Sequence, residues 1–435
     1  MGGVAAFGAA LAFVWVDVVK PQMLASSIIS GLPLSFITAV IMLGLYVTKD
    51  RKYPPKFGMA SVLVLLFAIW ITLTTAMSSI PYHAWDKWDW VIKVLIFALF
   101  MPYIFRSRIQ IEAFILVYIF SAATLFVSAG AKTLLGGGGY GVLSVMGQTN
   151  TGLSEGSTLA VVCVALVPVL LYCKQHTLLF PKNKYTTCLF LGLIVMGLAT
   201  MVGTTARAGL IAFALLFFLM FLESKKKVWY IVAALAGVVV LLNMDLASTS
   251  WGSRMSTIET YNADSSALGR LAVWKWTLGF VGSNPMGGGF DAYAFSGIAG
   301  VSSDGEIRYF PEGVLMGKAF HSIYFEVLGE QGIPGIIIYL SIVLLTLSSL
   351  SKLKKKWKNV DGMEWISALA GALRIAIMVY MVGGAFVGIA YQPFLFYLVS
   401  LTVALDQYGL RVEQEEKKAR IAANLMAEHP VPQNS

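Results

Sequence analysis

Twelve apolar segments of about 15–21 residues recur along this 435-residue chain. Each is long enough, or nearly so, to cross about 30 Å of hydrocarbon as an α-helix. Hydrophobic residues make up 57% of the chain, more than any soluble core of this length needs. The sequence therefore predicts an all-α, polytopic membrane protein with about twelve transmembrane helices. The segments lie at 3–19, 31–47, 58–77, 89–105, 111–131, 157–173, 186–203, 208–222, 228–244, 333–350, 366–386 and 388–405.

Lysine and arginine are concentrated in the connections after the even-numbered segments and in the C-terminal tail. By the positive-inside rule these connections and both termini are cytoplasmic, and the connection at 245–332 faces outward. The net charge of +9 follows from this topology, so no nucleic-acid partner is expected. The predicted divisions are 1–244 with the first nine spans, a large external loop at 245–332 with short helices, 333–405 with three spans, and a cytoplasmic tail at 406–435.

The long loop at 245–332 is the most elaborate polar part of the chain, so we expect the chemistry there. It contains more acidic than basic residues and would not attract anions diffusely. If it binds a phosphate, individual arginines must do so through directed, bidentate hydrogen bonds. Arg270 lies near the start of a helix predicted to run to Phe280, and Trp274 shares its face of that helix. A helix start favours anions, although pairing of Arg270 with Asp264 is an alternative.

Arg207 is a second candidate for binding an anion. It follows a tight, outward-facing turn between the seventh and eighth segments and is flanked by Ala206, Ala208 and Gly209, which allow helices to approach closely. Its side chain could extend to the lipid headgroups or point into a cavity between helices. The second interpretation is favoured because a charge inside a long apolar stretch usually has a function.

His321 is the candidate acid–base residue of the loop. The pattern predicts that it lies in an amphipathic helix over 319–332, with Phe325 and Leu328 on its own apolar stripe. That position places the imidazole against the membrane core or a cavity roof, where a lone histidine is usually structural. Glu326 is roughly 140° further round such a helix, so it is not an obvious partner of His321.

No metal or nucleotide cofactor is predicted. Asp304-Gly305-Glu306 is the nearest approach to a metal-binding pair, and an acidic turn of this kind is usually solvated. The glycine run 136–139 lacks the lysine and hydroxyl residue that follow in a P-loop. Neither a nucleophilic serine turn nor a zinc-spaced histidine pair occurs.

Four motifs of the C-terminal half resemble the O-antigen ligase/polymerase superfamily. They are Thr204-Thr205-Ala206-Arg207-Ala208-Gly209, Gly269-Arg270 followed by Trp274, Asn284-Pro285-Met286-Gly287-Gly288-Gly289-Phe290, and Phe320-His321-Ser322-Ile323-Tyr324-Phe325-Glu326 followed by Gly332 and Gly335. The N-terminal half, with Trp85-Asp86-Lys87-Trp88-Asp89 and the glycine-rich external turn, resembles the exosortase-associated O-glycosylation ligase branch.

The resemblance implies an enzyme of the bacterial inner membrane that works without metal or nucleotide. It would move a glycan from an undecaprenyl-pyrophosphate carrier to an acceptor hydroxyl of a glycolipid, glycan or protein on the periplasmic side. By their match to the family motifs, Arg207 and Arg270 would bind the donor pyrophosphate. His321 would deprotonate the acceptor, a task that suits a near-neutral pKa. Trp274, Tyr324 and Glu326 are candidate accessory residues. Attack opposite the leaving group predicts inversion at the anomeric carbon.

Two other functions stay open on the sequence. A polymerase would use the same chemistry to extend the glycan on another carrier lipid. A secondary transporter or flippase belongs to a different class, and the chain fits it less well. Transporters with this number of spans usually have a central, cytoplasmic long connection, whereas the long loop here follows the ninth segment and faces outward, with no evident inverted repeat.

Overall fold

A computed structural model describes residues 2–24, 32–49, 57–136, 153, 155–224, 226–228, 265–302 and 305–428. Within them, seven helices are long and apolar enough to cross a membrane. The prediction of an all-α polytopic membrane protein is confirmed. The helices and strands are α1 (Gly2–Val19), α2 (Pro21–Leu24), α3 (Leu34–Lys49), α4 (Met59–Ala76), α5 (Pro81–Ile104), α6 (Arg108–Gly136), α7 (Gly156–His176), α8 (Lys184–Gly203), α9 (Arg207–Glu223), α10 (Ser265–Ser283), β1 (Ile298–Val301), β2 (Ile307–Tyr309), α11 (Ile323–Lys356), α12 (Glu364–Gly383) and α13 (Pro393–Glu428).

The predicted apolar segments coincide with these helices, apart from the ninth at 228–244, of which the structure describes only Val228. The start of α5 is one boundary that differs. Residues 81–88 were expected in an external connection but form the first turns of α5, because a proline at the first helical position favours a helix start. At the other end of the bundle, α13 continues without a break from the last span into the charged tail.

Helix α7 lies at the centre of the bundle and is buried along almost its whole length. It packs against α8, α9 and α12. Small residues allow this close approach: a Cβ added to Gly209 of α9 would lie 2.9 Å from the Cβ of Ala160 on α7. Because α8 carries the chain back across the bundle, α7 and α9 begin at the same end of it.

The loop at 265–322 has a small core of its own. Val273 of α10, Ala292, Ile298 of β1 and Phe320 are buried together. Helices were expected here, but the loop also contains a two-stranded antiparallel sheet in which Ile298 pairs with Tyr309. The sheet carries the chain back toward α10, since the backbone N–H of Lys318 donates to the carbonyl of Ile298 at 2.8 Å.

The glycine-rich turn at 285–290 holds this loop against α11. Gly332 has φ 66° and ψ −166°, which divides α11 into a short outer helix and the long span from Ile333. The outer helix is held from the side: Gly288 N–H donates to the carbonyl of Gly329 at 3.0 Å. Ile333 N–H donates to the carbonyl of Pro285 at 2.9 Å. A Cβ on Gly332 would lie 2.2 Å from that same oxygen, so only glycine fits.

We therefore expect Gly332→Ala to destabilise the protein. Backbone strain costs about 1–3 kcal/mol, and the clash with Pro285 adds a further ~1–3 kcal/mol. The apparent melting temperature of the detergent-purified protein measures this. Gly313→Ala is the control, since Gly313 has φ 86° with no atom within 4 Å of its added Cβ. An equal decrease in melting temperature for the two variants would show that the close contact between Pro285 and Gly332 contributes nothing to stability.

Candidate active site

His321 lies in the segment that connects β2 to α11. Its backbone is in the left-handed region, with φ 49°. Ser322 is the N-cap of α11, which begins at Ile323. The prediction that His321 belongs to a helix over 319–332 is therefore wrong, and its expected stripe with Phe325 and Leu328 does not exist. A non-glycine residue with positive φ is strained and persists only where its neighbours hold it, as they often do at active sites.

Contacts from α10 and α11 hold the residue just before His321. The indole N–H of Trp274 donates to the carbonyl of Phe320 at 2.8 Å. The Trp274 ring stacks on Phe325, with 4.8 Å between ring centroids and 5° between planes. The Phe320 ring lies over Gly329, where a Cβ would be only 2.5 Å from it. Trp274, predicted as an accessory residue, thus positions the segment that contains His321.

Two cations act electrostatically on the imidazole. Arg270 is one helical turn before Trp274 on α10, as the predicted shared face requires. Lys318 crosses the start of α10 over Gly269, where an added Cβ would lie 2.7 Å from Cε of the lysine. The absence of a side chain at Gly269 therefore leaves room for the aliphatic part of Lys318 to pass α10. Both positive charges act on His321.

The electrostatic environment keeps His321 neutral. Burial, followed by the charges of Arg270 and Lys318, lowers the pKa of the imidazole to about 4, and Glu155 opposes this shift. This pKa is lower than the near-neutral value that we expected for His321 from the sequence. The largest cause is burial of the ring, and two cations add to it against one carboxylate. An anion bound to Arg270 and Lys318 would offset their charge and raise the pKa of His321.

Glu155 and Arg207 begin two neighbouring helices at the same end of the bundle. Glu155 is the N-cap of α7 and accepts hydrogen bonds from the N–H groups of Ser157 at 3.0 Å and Thr158 at 2.6 Å. Arg207 is the first residue of α9, which packs against α7. The charges that most affect the pKa of His321 do not include Arg207. A role for Arg207 in binding the donor stays a prediction.

A second group of charges lies inside the protein, and we call it the Lys87 cluster. The ammonium of Lys87 is 2.7 Å from Glu330, 3.0 Å from Glu326 and 3.4 Å from Asp291. The Glu330 side chain is fully buried, and those of Lys87 and Glu326 are 16% and 9% exposed. One ammonium thus faces three carboxylates in a poorly solvated place, where each carboxylate needs further hydrogen bonds.

Backbone groups supply some of these bonds and connect distant parts of the chain. The second oxygen of Glu326 accepts from Ala390 N–H at 3.0 Å, in the connection between α12 and α13. Glu330 accepts from Asp291 N–H at 3.0 Å, beside the glycine-rich turn. The hydroxyl group of Tyr324 donates a hydrogen bond to the carbonyl of Met381 on α12 at 3.2 Å. Tyr324 and Glu326, both predicted as accessory residues, therefore have partners on other elements that fix the start of α11.

Tyr293 connects the Lys87 cluster to the histidine segment. Its ring packs edge-on against Phe320, with 5.8 Å between centroids. Burial and the nearby charge of Asp291 raise the pKa of the Tyr293 hydroxyl to about 12. The phenol therefore stays protonated at neutral pH and adds no charge between the two groups.

Comparison with known families gives the class of protein. Residues 191–340 match the family described as O-antigen ligase, and residues 2–178 match a family of unknown function (DUF5935). Residues 191–340 thus form a domain of the O-antigen ligase superfamily, within a multi-pass membrane protein of the kind that transfers glycans. No curated protein matches it. The O-antigen ligase match contains His321, Arg270 and Lys318, whereas Lys87 and Glu155 come from the N-terminal match. The exosortase-associated branch stays a prediction.

Sequence reasoning missed Glu155, Lys318 and the cluster around Lys87. Glu155 directly precedes an apolar helix, which is a typical N-cap position and was visible in the sequence. Asp304, from the acidic turn that came nearest to a metal-binding pair, lies outside the described residues. Among the residues that the structure does describe, no three His, Cys, Asp or Glu side chains are grouped so that they could hold a metal ion.

We expect Lys87→Met to destabilise the protein by about 3–5 kcal/mol, because it leaves buried carboxylates without their cation. Adding Glu330→Gln should recover part of this loss, because an amide replaces a carboxyl group whose pKa burial already raises to about 8. Thermal unfolding in detergent compares the variants. Lys93→Met is the control: Lys93 pairs with Asp89 on the exposed face of the same helix at 2.5 Å. A surface pair of this kind contributes at most about 1 kcal/mol. Equal stability of the Lys87 and Lys93 variants would contradict a structural role for the cluster.

Proposed function

We propose that the chain transfers a glycan from an undecaprenyl-pyrophosphate carrier to an acceptor hydroxyl on the periplasmic face of the bacterial inner membrane. The observation that carries this proposal is a His321 imidazole whose pKa is lowered by burial and by the charges of Arg270 and Lys318. The match of this segment to O-antigen ligase supports it. The lysine-rich connections at the opposite end of the bundle support a periplasmic site, by the positive-inside rule.

Arg270 and Lys318 suit a diphosphate in a loop with more acidic than basic residues. A guanidinium offers paired donors to phosphate oxygens, and an ammonium adds a compact positive charge. As the glycosidic bond breaks, negative charge grows on the departing diphosphate, and preplaced cations stabilise it. Arg207 would contribute a second guanidinium from the start of α9, as the family motif implies.

His321 is the base in this proposal. Its neutral imidazole accepts the proton of the acceptor hydroxyl while the hydroxyl oxygen forms a bond to the anomeric carbon. The bond from that carbon to the diphosphate oxygen breaks, and the carrier diphosphate departs with the electron pair. Attack from the opposite face inverts the anomeric configuration. Because the bound diphosphate offsets Arg270 and Lys318, it raises the pKa of His321 and strengthens the base when the donor is present.

The acceptor separates a ligase from a polymerase, and both use this chemistry. A strain that lacks the protein distinguishes them by its glycans. Loss of long chains from lipopolysaccharide indicates a ligase, single repeat units indicate a polymerase, and an unglycosylated surface protein indicates a protein O-oligosaccharyltransferase. Unchanged glycans in that strain would contradict all three.

The proposal predicts that His321→Ala lowers glycan transfer in isolated membranes by about 10²–10⁴-fold. Arg270→Lys should lose most activity, because lysine cannot supply paired donors. The controls are His83→Ala and Arg308→Lys, which alter exposed residues at the start of α5 and on β2. Membrane insertion and melting temperature should be unchanged in all four variants. Full transfer by the His321→Ala protein would eliminate the proposed base.

A further inference from the structure

A cavity of about 550 Å³ opens at the end of the bundle opposite His321. It lies between the start of α4, the end of α5, the last third of the α11 span and the end of the α13 span. This is the end at which the lysine-rich connections emerge, so the positive-inside rule assigns it to the cytoplasmic leaflet. The cavity is therefore separate from the proposed catalytic site.

One wall of the cavity is apolar and open to the side. Phe57, Met59, Leu345 and Leu410 all line it and are exposed on the surface of the bundle. In a membrane, side chains at this depth on the outer surface of a helical bundle face lipid. The wall thus offers hydrocarbon chains a path from the bilayer into the cavity.

The opposite part of the cavity carries two guanidinium groups. Arg106 follows the end of α5, and Arg411 lies on α13. Arg411 reaches back to the carbonyls of Phe105 at 3.3 Å and Arg106 at 3.5 Å. A cation near the last carbonyls of a helix is held there by the helix dipole. Arg411 is thereby held in the cavity wall next to the backbone of Arg106, a residue that also lines the cavity.

The remaining charge in the cavity wall is that of Asp406, with Gln407 beside it. Lys356 and Lys352 of α11 and Glu413 of α13 also act on Asp406, and Lys356 pairs with Glu413. Positive charges outnumber negative ones around the cavity. An occupant with a net negative headgroup fits this balance better than a zwitterionic one. Asp406 and Gln407 are suited to accept hydrogen bonds from hydroxyl groups.

We propose that this cavity binds an anionic glycerophospholipid of the phosphatidylglycerol class from the cytoplasmic leaflet. The phosphate lies against Arg106 and Arg411, the headgroup hydroxyls face Asp406 and Gln407, and the acyl chains leave along the apolar wall. Basic pockets between transmembrane helices on this side of a membrane have the chemistry that such headgroups require. The bound lipid would hold together the ends of α4, α5, α11 and α13.

Binding can be measured on the full-length protein in detergent by native mass spectrometry and by melting temperature. Phosphatidylglycerol should bind saturably and raise the melting temperature, since a ligand of the folded state stabilises it. Phosphatidylcholine and phosphatidylethanolamine should do neither at the same concentration. The double variant Arg106→Gln/Arg411→Gln should bind phosphatidylglycerol about 10–100-fold more weakly, as expected for lost charge-assisted hydrogen bonds.

Two further variants separate this site from general charge effects. Lys358→Gln/Lys417→Gln removes the same charge from exposed positions at the same end of the bundle and should bind as the original protein does. Ser349→Phe keeps every charge but fills the cavity, and it should bind weakly. Equal binding of phosphatidylethanolamine, full binding by Ser349→Phe, or saturation by glycerol 1-phosphate alone would each overturn the proposal. Because binding is the readout, failure here leaves the proposed glycan transfer untouched.

Discussion

The rest of the structure depends on the interaction of the largely buried Lys87 ammonium with three carboxylates. Its partners Glu326 and Glu330 belong to α11, and Asp291 follows the glycine-rich turn. A buried ion pair is weak evidence for stability, because desolvation offsets much of the attraction. Its effect here is to connect α5 with α11 and with the segment at Asp291, because the one ammonium contacts carboxylates on both. The cluster also joins the two family matches, with the cation in one and the carboxylates in the other.

From this cluster a continuous set of contacts leads to the proposed base. The carboxylates of Glu326 and Glu330 fix the outer helix of α11. The glycine-rich turn at 285–290 also holds this helix through backbone hydrogen bonds. Phe320 packs on that helix and accepts a hydrogen bond from Trp274 of α10. His321 is held next to Phe320 in a strained backbone conformation, beside Arg270 and Lys318. The same contacts that order the loop thus place two cations and a neutral imidazole together.

The sequence predicts the parts of this arrangement that depend on local patterns. Apolar length gave the spans, and helical spacing correctly put Arg270 and Trp274 on one face. Spacing gave the wrong result at His321, because the left-handed backbone that ends the helical pattern there is imposed by tertiary contacts. Lys87 could not be assigned, since its partners Glu326 and Glu330 are 239 and 243 residues away. No periodicity within one segment reports a pairing over that distance.

The most direct measurement is the titration of the His321 imidazole by NMR in labelled protein, with its signal assigned by its absence in His321→Ala. The free protein should titrate with a pKa of about 4. A short prenyl diphosphate should raise that pKa, as should Arg270→Gln/Lys318→Gln without ligand, because each removes net positive charge from around the ring. An ordinary histidine pKa in the free protein, unchanged by diphosphate, would contradict the convergence of Arg270, Lys318 and His321 on one diphosphate.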